Sequence, residues 1–190
     1  MLIMENRERK ILDAATQVFL RYGVKRASMG DIASEAGVAR QTLYNSYSNK
    51  DDILRGSIRM FGIDAMAAIE AGLPSATTPA EKVDIVLREM SLKPFVFLHS
   101  SPNSQDLIEG YNAAGKSEME ANYQAFQDVL EHIFDPYAER LGKRELTPRL
   151  LAELVRRSAA ALKMQATDEA HLSQLLSGLT FTVAAAVDPA

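Results

Sequence analysis

Apolar residues recur at helical spacing along most of the chain. Ile11, Ala15, Val18 and Tyr22 lie three or four residues apart, which predicts a first helix over about residues 6–22. Gly23 is expected to end it. No segment alternates apolar and polar positions as a strand does. The pattern therefore predicts an all-α fold of about nine helices.

The later helices are predicted from their start and stop signals. Thr78-Pro79 and Thr147-Pro148 both place proline at a first helical position, and Thr167 or Asp168 is expected to cap the last helix. Pro94 is expected to break or kink a helix because proline lacks the N–H donor. The predicted spans are about 49–71, 78–92, 104–141 with a possible break near Gly115, 147–165 and 168–187.

The segment Ser28 to Lys50 predicts two short helices around a tight turn. Ser28 is a suitable N-cap, and Asp31 three residues later is its acidic partner in a capping box. Gly37 occupies the point where a left-handed residue is needed. The inward-facing positions of the two helices are small or apolar: Ile32, Ala33, Ala36, Val38 and Leu43. This is the pattern of a helix-turn-helix, whose second helix normally enters the DNA major groove.

The same segment resembles the TetR family of bacterial transcriptional repressors. The resemblance covers about residues 5–55 and rests on these residues: Thr42-Leu43-Tyr44, Tyr47, Asn49-Lys50 and Ile53-Leu54, with Ala14-Ala15, Phe19 and Tyr22-Gly23 upstream. The chain departs from the family at Ala39, where Ser or Thr is common, and at Ser46, where His or an aromatic residue is usual. The resemblance implies a three-helix DNA-binding domain over residues 1–50 and a helical ligand-binding and dimerisation domain over residues 51–190.

The residues expected to contact DNA lie in and around the second helix of this motif. Arg40 and Gln41 suit guanine and adenine edges, and Thr42 offers a hydroxyl or a methyl group to a base. Phosphate contacts are expected from Ser28, Tyr44, Tyr47 and Lys50. Asn45 could contact either a base or a phosphate. For Tyr44, Tyr47 and Lys50 the alternative is a purely structural role in packing or at a helix start.

Charge and composition are compatible with this interpretation. The net charge of −4 argues against indiscriminate nucleic-acid binding, but residues 1–56 carry +2 and the remainder −6. A basic segment on an acidic chain fits local docking on DNA, although chance would also produce so small an asymmetry. No apolar run approaches about 20 residues, and neither a secretory signal nor a cysteine is present. We therefore expect a cytoplasmic protein that is not associated with a membrane.

The last two predicted helices are expected to form a homodimer interface, because the resemblance implies pairing with twofold mates. The candidate interface residues are Leu151, Leu154, Val155, Leu162, Leu172, Leu175, Leu176, Leu179 and Val183. Burial inside one subunit is the alternative. One short helix reads few bases, so a dimer would also serve specific binding.

An effector site is expected between the DNA-binding segment and the dimer helices. A mostly apolar pocket with a few polar groups could be lined by these residues, although each is also a plausible core residue: Met90, Phe95, Phe97, His99, Tyr111, Tyr123 and Phe126. The resemblance implies an inducer site among these helices but identifies none of its residues.

The sequence contains no recognisable catalytic or metal-binding pattern. His99, His132 and His171 are isolated, and the chain has no GxSxG, GxGxxG or phosphate-binding glycine-rich motif. We expect neither enzymatic activity nor a cofactor. The sequence favours a DNA-binding transcriptional repressor that binds an inverted-repeat operator as a dimer and is released by a small effector. The rival interpretation is an all-helical protein–protein interaction module without specific DNA binding.

Overall fold

A computed structural model describes residues 6–187 of the chain. This part contains α-helices joined by turns and no strand, as the sequence predicts. The helices are α1 Asn6–Tyr22, α2 Met29–Ala36, α3 Arg40–Ser46, α4 Lys50–Gly72, α5 Pro79–Leu87, α6 Lys93–His99, α7 Ser104–Ala114, α8 Lys116–Phe134, α9 Ala138–Gly142, α10 Pro148–Gln165 and α11 Glu169–Val187. Short 3-10 turns lie at Leu73–Ser75 and Asp135–Tyr137. If α5 and α6 are counted as one continuous helix and the five-residue α9 is left out, nine helices remain, in agreement with the predicted number of about nine.

Most helix ends lie where the side chains predicted them. Thr78 and Thr147 cap α5 and α10 with their hydroxyls, each followed by proline at the start of the helix. The Asn49 side chain accepts a 2.9 Å hydrogen bond from the backbone N–H of Asp52 at the start of α4. Asp168 accepts one of 2.8 Å from the N–H of His171 in α11. These caps satisfy backbone donors that have no partner inside the helix.

Of the break or kink expected at Pro94, the break does not occur, and the helix is irregular just before this residue. A π-helical turn over Arg88–Leu92 joins α5 to α6, and the helix runs through Pro94 to His99. Proline removes a hydrogen bond and crowds the carbonyl four residues earlier. The wider π turn accommodates that disturbance before Pro94, so the helix continues.

The chain divides into two compact units. The head unit comprises the residues up to Asp64 together with Phe97–Ala121, and the body unit comprises Ala65–Val96 together with the residues from Asn122 onward. The first part of α4 packs in the core of the head unit, where Ile53 and Leu54 are almost fully buried. These compact units do not coincide with the predicted functional domains over residues 1–50 and 51–190. The functional domain boundary stays a prediction.

Helix α11 is long and apolar. By length and composition it could cross a membrane: an 18-residue stretch within it has a mean hydropathy of 1.3, and 22% of that stretch is buried. Its buried positions follow one face: Leu172, Leu176, Thr180, Val183 and Val187. Length and hydropathy alone do not assign α11 to a membrane, because core helices of soluble proteins can have the same values.

Candidate nucleic-acid interface

Capping residues stabilise both ends of α2. The Ser28 hydroxyl accepts from the backbone N–H of Asp31 at 3.2 Å, and the Asp31 carboxylate accepts from the N–H of Ser28 at 2.9 Å. Gly37 follows α2 in the left-handed region with φ of 62°. Val38 then donates to the carbonyl of Ala33 at 3.0 Å. The bond from Val38, together with the left-handed Gly37, closes the turn between α2 and α3 and sets the direction in which α3 leaves it.

Helix α3 presents a polar face above an apolar anchor. Leu43 is fully buried in the core of the head unit, whereas Arg40, Gln41 and Asn45 are exposed and Tyr44 is 50% exposed. Gln41 donates through its side-chain amide to the Asn45 side chain at 3.0 Å, so the two amides are aligned with each other. The expected base-reading residues therefore lie on one accessible face, with Thr42 half-buried at its edge.

The Arg40 side chain lies over α2. A Cβ added at Gly30 would meet the Arg40 guanidinium at 2.6 Å from Nη2. The Arg40 charge also helps to lower the pKa of Asp31, after the larger effect of the hydrogen bonds from Ser28. Gly30 therefore leaves the space that this orientation of Arg40 occupies.

Tyr47 lies inside the head unit and not on its surface. Its ring is 5% exposed, and its hydroxyl donates to the Glu8 carboxylate at 3.1 Å. Burial, with a further contribution from Glu8, raises the pKa of Tyr47. Of the two roles that the sequence left open, this placement favours packing over a phosphate contact. Ser28 is exposed, but its hydroxyl is already engaged in the α2 cap.

Lys50 is engaged by backbone carbonyl groups. Its Nζ donates to the carbonyls of Val24 at 2.7 Å and Ala27 at 2.8 Å, and to that of Lys25 at 3.3 Å. The side chain is half-buried at the start of α4. An ammonium group has three donors. All three donors of Lys50 are directed at carbonyl groups of the loop before α2. This arrangement favours a structural role at the start of α4 over a phosphate contact.

A second polar network joins the end of α1 and the same loop to α7 and the residues just before it, within the head unit. The Asn103 side chain donates to the carbonyls of Leu20 and Arg21, and the Ser101 hydroxyl also donates to Leu20. Asp106 accepts from the backbone N–H of Lys25 at 3.0 Å. The Lys25 ammonium contacts Glu109 at 2.9 Å, and this bond raises the pKa of Lys25. No local sequence pattern predicts this network, because its partners lie about 80 residues apart.

The predicted effector residues fall into both units. Phe97, His99 and Tyr111 belong to the head unit, and the other four, Met90, Phe95, Tyr123 and Phe126, belong to the body unit. Met90, Phe95 and Phe126 are buried in the core of the body unit, as their alternative role predicted. In the head unit the Phe61 ring contacts those of Phe97 and Tyr111, with centroids 5.0 and 6.4 Å apart.

Two cavities differ in size and location. One of about 460 Å³ lies in the head unit, where Phe97 is the only predicted effector residue that lines it. One of about 170 Å³ lies in the body unit between residues of α5 and α11 and the π turn. Typical small-molecule sites measure roughly 300–1,000 Å³, so only the former has the size of a ligand site.

Several of the predicted dimer residues are buried in the core of the body unit. Leu151, Val155, Leu172, Leu176 and Val183 are buried within the body unit, so they are not available to a partner. Leu154 is 55% exposed, and Leu162, Leu175 and Leu179 are half-buried. The most exposed large apolar side chains of α10 and α11 are Met164, Phe181, Leu154 and Leu150, and of these only Leu154 was in the candidate interface set. Helical periodicity identified the apolar helices but not which face the subunit covers.

The described residues contain no group of three or more histidine or acidic side chains able to hold a metal ion. The carboxylates of the interface act as caps and ion-pair partners. Asp31 and Asp52, for example, accept hydrogen bonds from the backbone N–H groups of Ser28 and Ser48.

Comparison with known proteins identifies relatives of the helix-turn-helix segment. The model for bacterial regulatory proteins of the tetR family matches residues 11–56. The HTH-type transcriptional repressor LfrR of Mycolicibacterium smegmatis is 36% identical over 101 residues, which is 52% of each chain. The HTH-type transcriptional regulator BetI of Rhizobium meliloti is 27% identical over 95% of this chain and 84% of that protein. The match spans only 41% of the uncharacterized regulator YezE of Bacillus subtilis, so two of these relatives are matched over about half their length.

Solved structures share the fold over nearly the full chain. The fatty acid degradation regulator FadR of Bacillus halodurans has a TM-score of 0.67 at 21% identity, covering 96% of this chain and 97% of that one. FadR of Bacillus subtilis, solved in complex with stearoyl-CoA, has a TM-score of 0.60 at 21% identity, covering 96% and 98%. At this identity the likeness establishes the fold alone.

Proposed function

Because this chain belongs to the TetR family of bacterial regulatory proteins, we propose that it is a cytoplasmic transcriptional repressor. It binds an inverted-repeat operator as a homodimer, and a small, mostly apolar effector releases it. The observation that carries the proposal is the exposed polar face of α3, held on a buried Leu43 anchor.

The chemistry of that face suits major-groove reading. Arg40 offers the paired donors that match the guanine edge, and Gln41 offers the donor and acceptor that match adenine. Both lie in the first turn of α3, the part of a recognition helix that usually contacts bases. Asn45, aligned with Gln41, extends the same surface. Tyr44, half-exposed beside them, suits a phosphate contact.

Apolar exposure on α10 and α11 supports the dimer. Leu150, Leu154 and Phe181 are 48%, 55% and 75% exposed. Removing exposed apolar side chains from water is favourable, so a second copy of the chain packed on these two helices would be stabilised by covering them. A Cβ added at Gly178 would meet nothing within 4 Å, which leaves room for close approach of another helix on α11. Two copies would present two α3 helices to an inverted repeat.

The polar network that joins α7 and the residues just before it to the end of α1 and the loop before α2 supports regulation of the DNA-binding segment. Asn103, Asp106 and Ser101 hold the backbone of residues 20–25, which leads directly into the Ser28 cap. A shift of α7 would therefore change the position of α2 and α3. An effector releases DNA only if it binds the incompetent arrangement more tightly. Stearoyl-CoA in one structural relative supports an apolar effector in general terms.

Fluorescence anisotropy with labelled DNA from upstream of the protein's own gene tests DNA reading. We expect Arg40→Ala and Gln41→Ala each to weaken binding by about 1–3 kcal/mol and to relax base preference. Glu120→Gln, an exposed change in α8, is the control. If both α3 variants bind like the wild type, α3 does not read the operator, and the interaction-module interpretation gains support.

A further inference from the structure

We propose that the 460 Å³ groove of the head unit binds a small organic cation that carries an apolar ring. The groove is lined by residues of α1, α2, α4 and α6, all within the same compact unit. Its volume falls in the range of sites for small molecules, roughly 300–1,000 Å³. Binding at this groove does not depend on the proposed function. The release of DNA that we expect from it does.

The floor of the groove is aromatic. The Phe61 and Phe97 rings lie with centroids 5.0 Å apart at an interplanar angle of 57°, and Met60 lies beside them. Aromatic faces carry negative quadrupole density and attract cations as well as apolar rings. Phe61 and Phe97 are only half-buried, so their surfaces are available to an occupant.

The rim of the groove is mainly acidic. Three carboxylates, those of Asp13, Glu35 and Asp64, line it together with one ammonium group, that of Lys10. Arg9 pairs with Asp64 and Arg21 with Glu35, but neither arginine lines the groove.

Those two pairs orient carboxylates that still have acceptor capacity for a ligand. The Asp13 carboxylate is exposed and has no ion-pair or hydrogen-bond partner in the described part of the chain. Asp13 is therefore the rim residue best placed to attract a positive group.

Thr16 provides an independent sign of an occupant. It lines the groove and is 6% exposed, and its hydroxyl has no hydrogen-bond partner among the residues that the structure describes. A buried hydroxyl without a partner is unfavourable. A polar group on a bound molecule would supply the missing partner after a small adjustment of α1.

The location gives the groove a direct route to the DNA-binding segment. Glu35 and Ala36 form the end of α2, immediately before Gly37 and the turn into α3. An occupant that bridges α2 to Phe61 on α4 would fix how those helices pack. On the proposed function, this occupant would alter the presentation of α3 and lower the operator affinity.

Three small molecules with one skeleton test the chemistry. They are 4-phenylbutylamine, which is cationic at neutral pH, neutral 4-phenyl-1-butanol and anionic 4-phenylbutyrate. Isothermal titration calorimetry on the full chain should show binding in the order amine, alcohol, acid. We expect Asp13→Asn to weaken amine binding by roughly two- to fivefold, as for an exposed charge pair. Phe97→Leu should weaken it by roughly threefold or more through loss of the ring face. Glu120→Gln makes the same charge change as Asp13→Asn away from the groove and should leave binding unchanged.

The outcomes separate the two proposals. Equal binding of amine and acid, no binding of the amine, or amine binding that ignores both groove variants would overturn the groove assignment. Operator binding without added compound is measured in parallel, and its loss would count against the proposed function only. If the amine binds through Asp13 and Phe97 but leaves operator affinity unchanged, the site stands and its regulatory role is wrong.

Discussion

The ammonium group of Lys50 donates a 2.8 Å hydrogen bond to the backbone carbonyl of Ala27, the residue before the α2 cap. The same group reaches the carbonyl of Val24 at 2.7 Å. The first residue of α4 thereby fixes the loop that introduces the helix-turn-helix. A phosphate contact from Lys50 would require these bonds to break, so we assign Lys50 a positioning role.

Lys50→Met should destabilise the head unit without changing the number of phosphate contacts. Hydrogen bonds to a charged group contribute about 1.5–3 kcal/mol, so we expect a loss of about 2 kcal/mol in chemical denaturation. The slope of log affinity against log salt concentration should stay the same. A slope reduced by about one, with stability unchanged, would instead identify Lys50 as a phosphate contact.

Gly30→Ala should alter DNA recognition while preserving the fold. The new Cβ would displace the Arg40 guanidinium, which is the flexible end of a side chain, so the helices need not move. Helix propensity favours alanine by up to about 1 kcal/mol, so thermal stability should hold or rise. We expect weaker operator binding and altered preference at the base that Arg40 reads.

Gly142→Ala is the matched control for that substitution, because a Cβ at Gly142 meets nothing within 4 Å. It should leave DNA binding unchanged. Wild-type affinity and base preference in Gly30→Ala would show that Arg40 does not read DNA from its observed orientation.

Phe181→Glu should convert the dimer into a folded monomer. Phe181 is 75% exposed on α11, so the change removes little from the subunit core but places a charge in the proposed interface. We expect half the mass by light scattering at micromolar concentration and loss of tight DNA binding. Val96→Glu places the same charge at an exposed apolar position in α6 and should remain dimeric. A wild-type protein that is itself monomeric would contradict the dimer proposal.

Stability should fall in mild acid partly through the α2 cap. Hydrogen bonds from the Ser28 hydroxyl and backbone hold the pKa of Asp31 below its usual value. A carboxyl with a lowered folded pKa stabilises the fold above its unfolded value of about 3.9, and that contribution is lost as the pH falls through the folded value.

Urea denaturation from pH 7 to about pH 3 should therefore show a shallower loss for Asp31→Asn than for the wild type. Asp51→Asn removes an exposed carboxylate with no hydrogen-bond partner in the described region and should follow the wild-type curve. Parallel pH curves for Asp31→Asn and the wild type would exclude the cap as a source of acid sensitivity.

Local signals in the sequence predicted the helices well. The bounds of α1, the Ser28–Asp31 capping box and the left-handed Gly37 all depend on residues within a few positions of one another. Roles that depend on distant partners could not be predicted. Tyr47 is buried against Glu8, 39 residues earlier, and so its exposure is invisible to a local pattern.

The faces of apolar helices posed a similar problem. Periodicity identified Leu172 and Leu176 as one apolar face of α11, but only packing shows that the subunit itself covers that face. The groove escaped prediction because Asp13, Phe61 and Phe97 come from separate helices. The polar face of α3 was predictable because short, exposed recognition helices carry their chemistry in consecutive residues.

Selection of bound duplexes from a random DNA pool by the wild-type protein tests the central claim most directly. The account predicts an inverted repeat whose half-site centres lie about one helical turn, or a whole number of turns, apart. Arg40→Ala should relax one symmetric pair of positions in that repeat. Failure to enrich any sequence, or enrichment of a single asymmetric site that Arg40→Ala leaves unchanged, would contradict it.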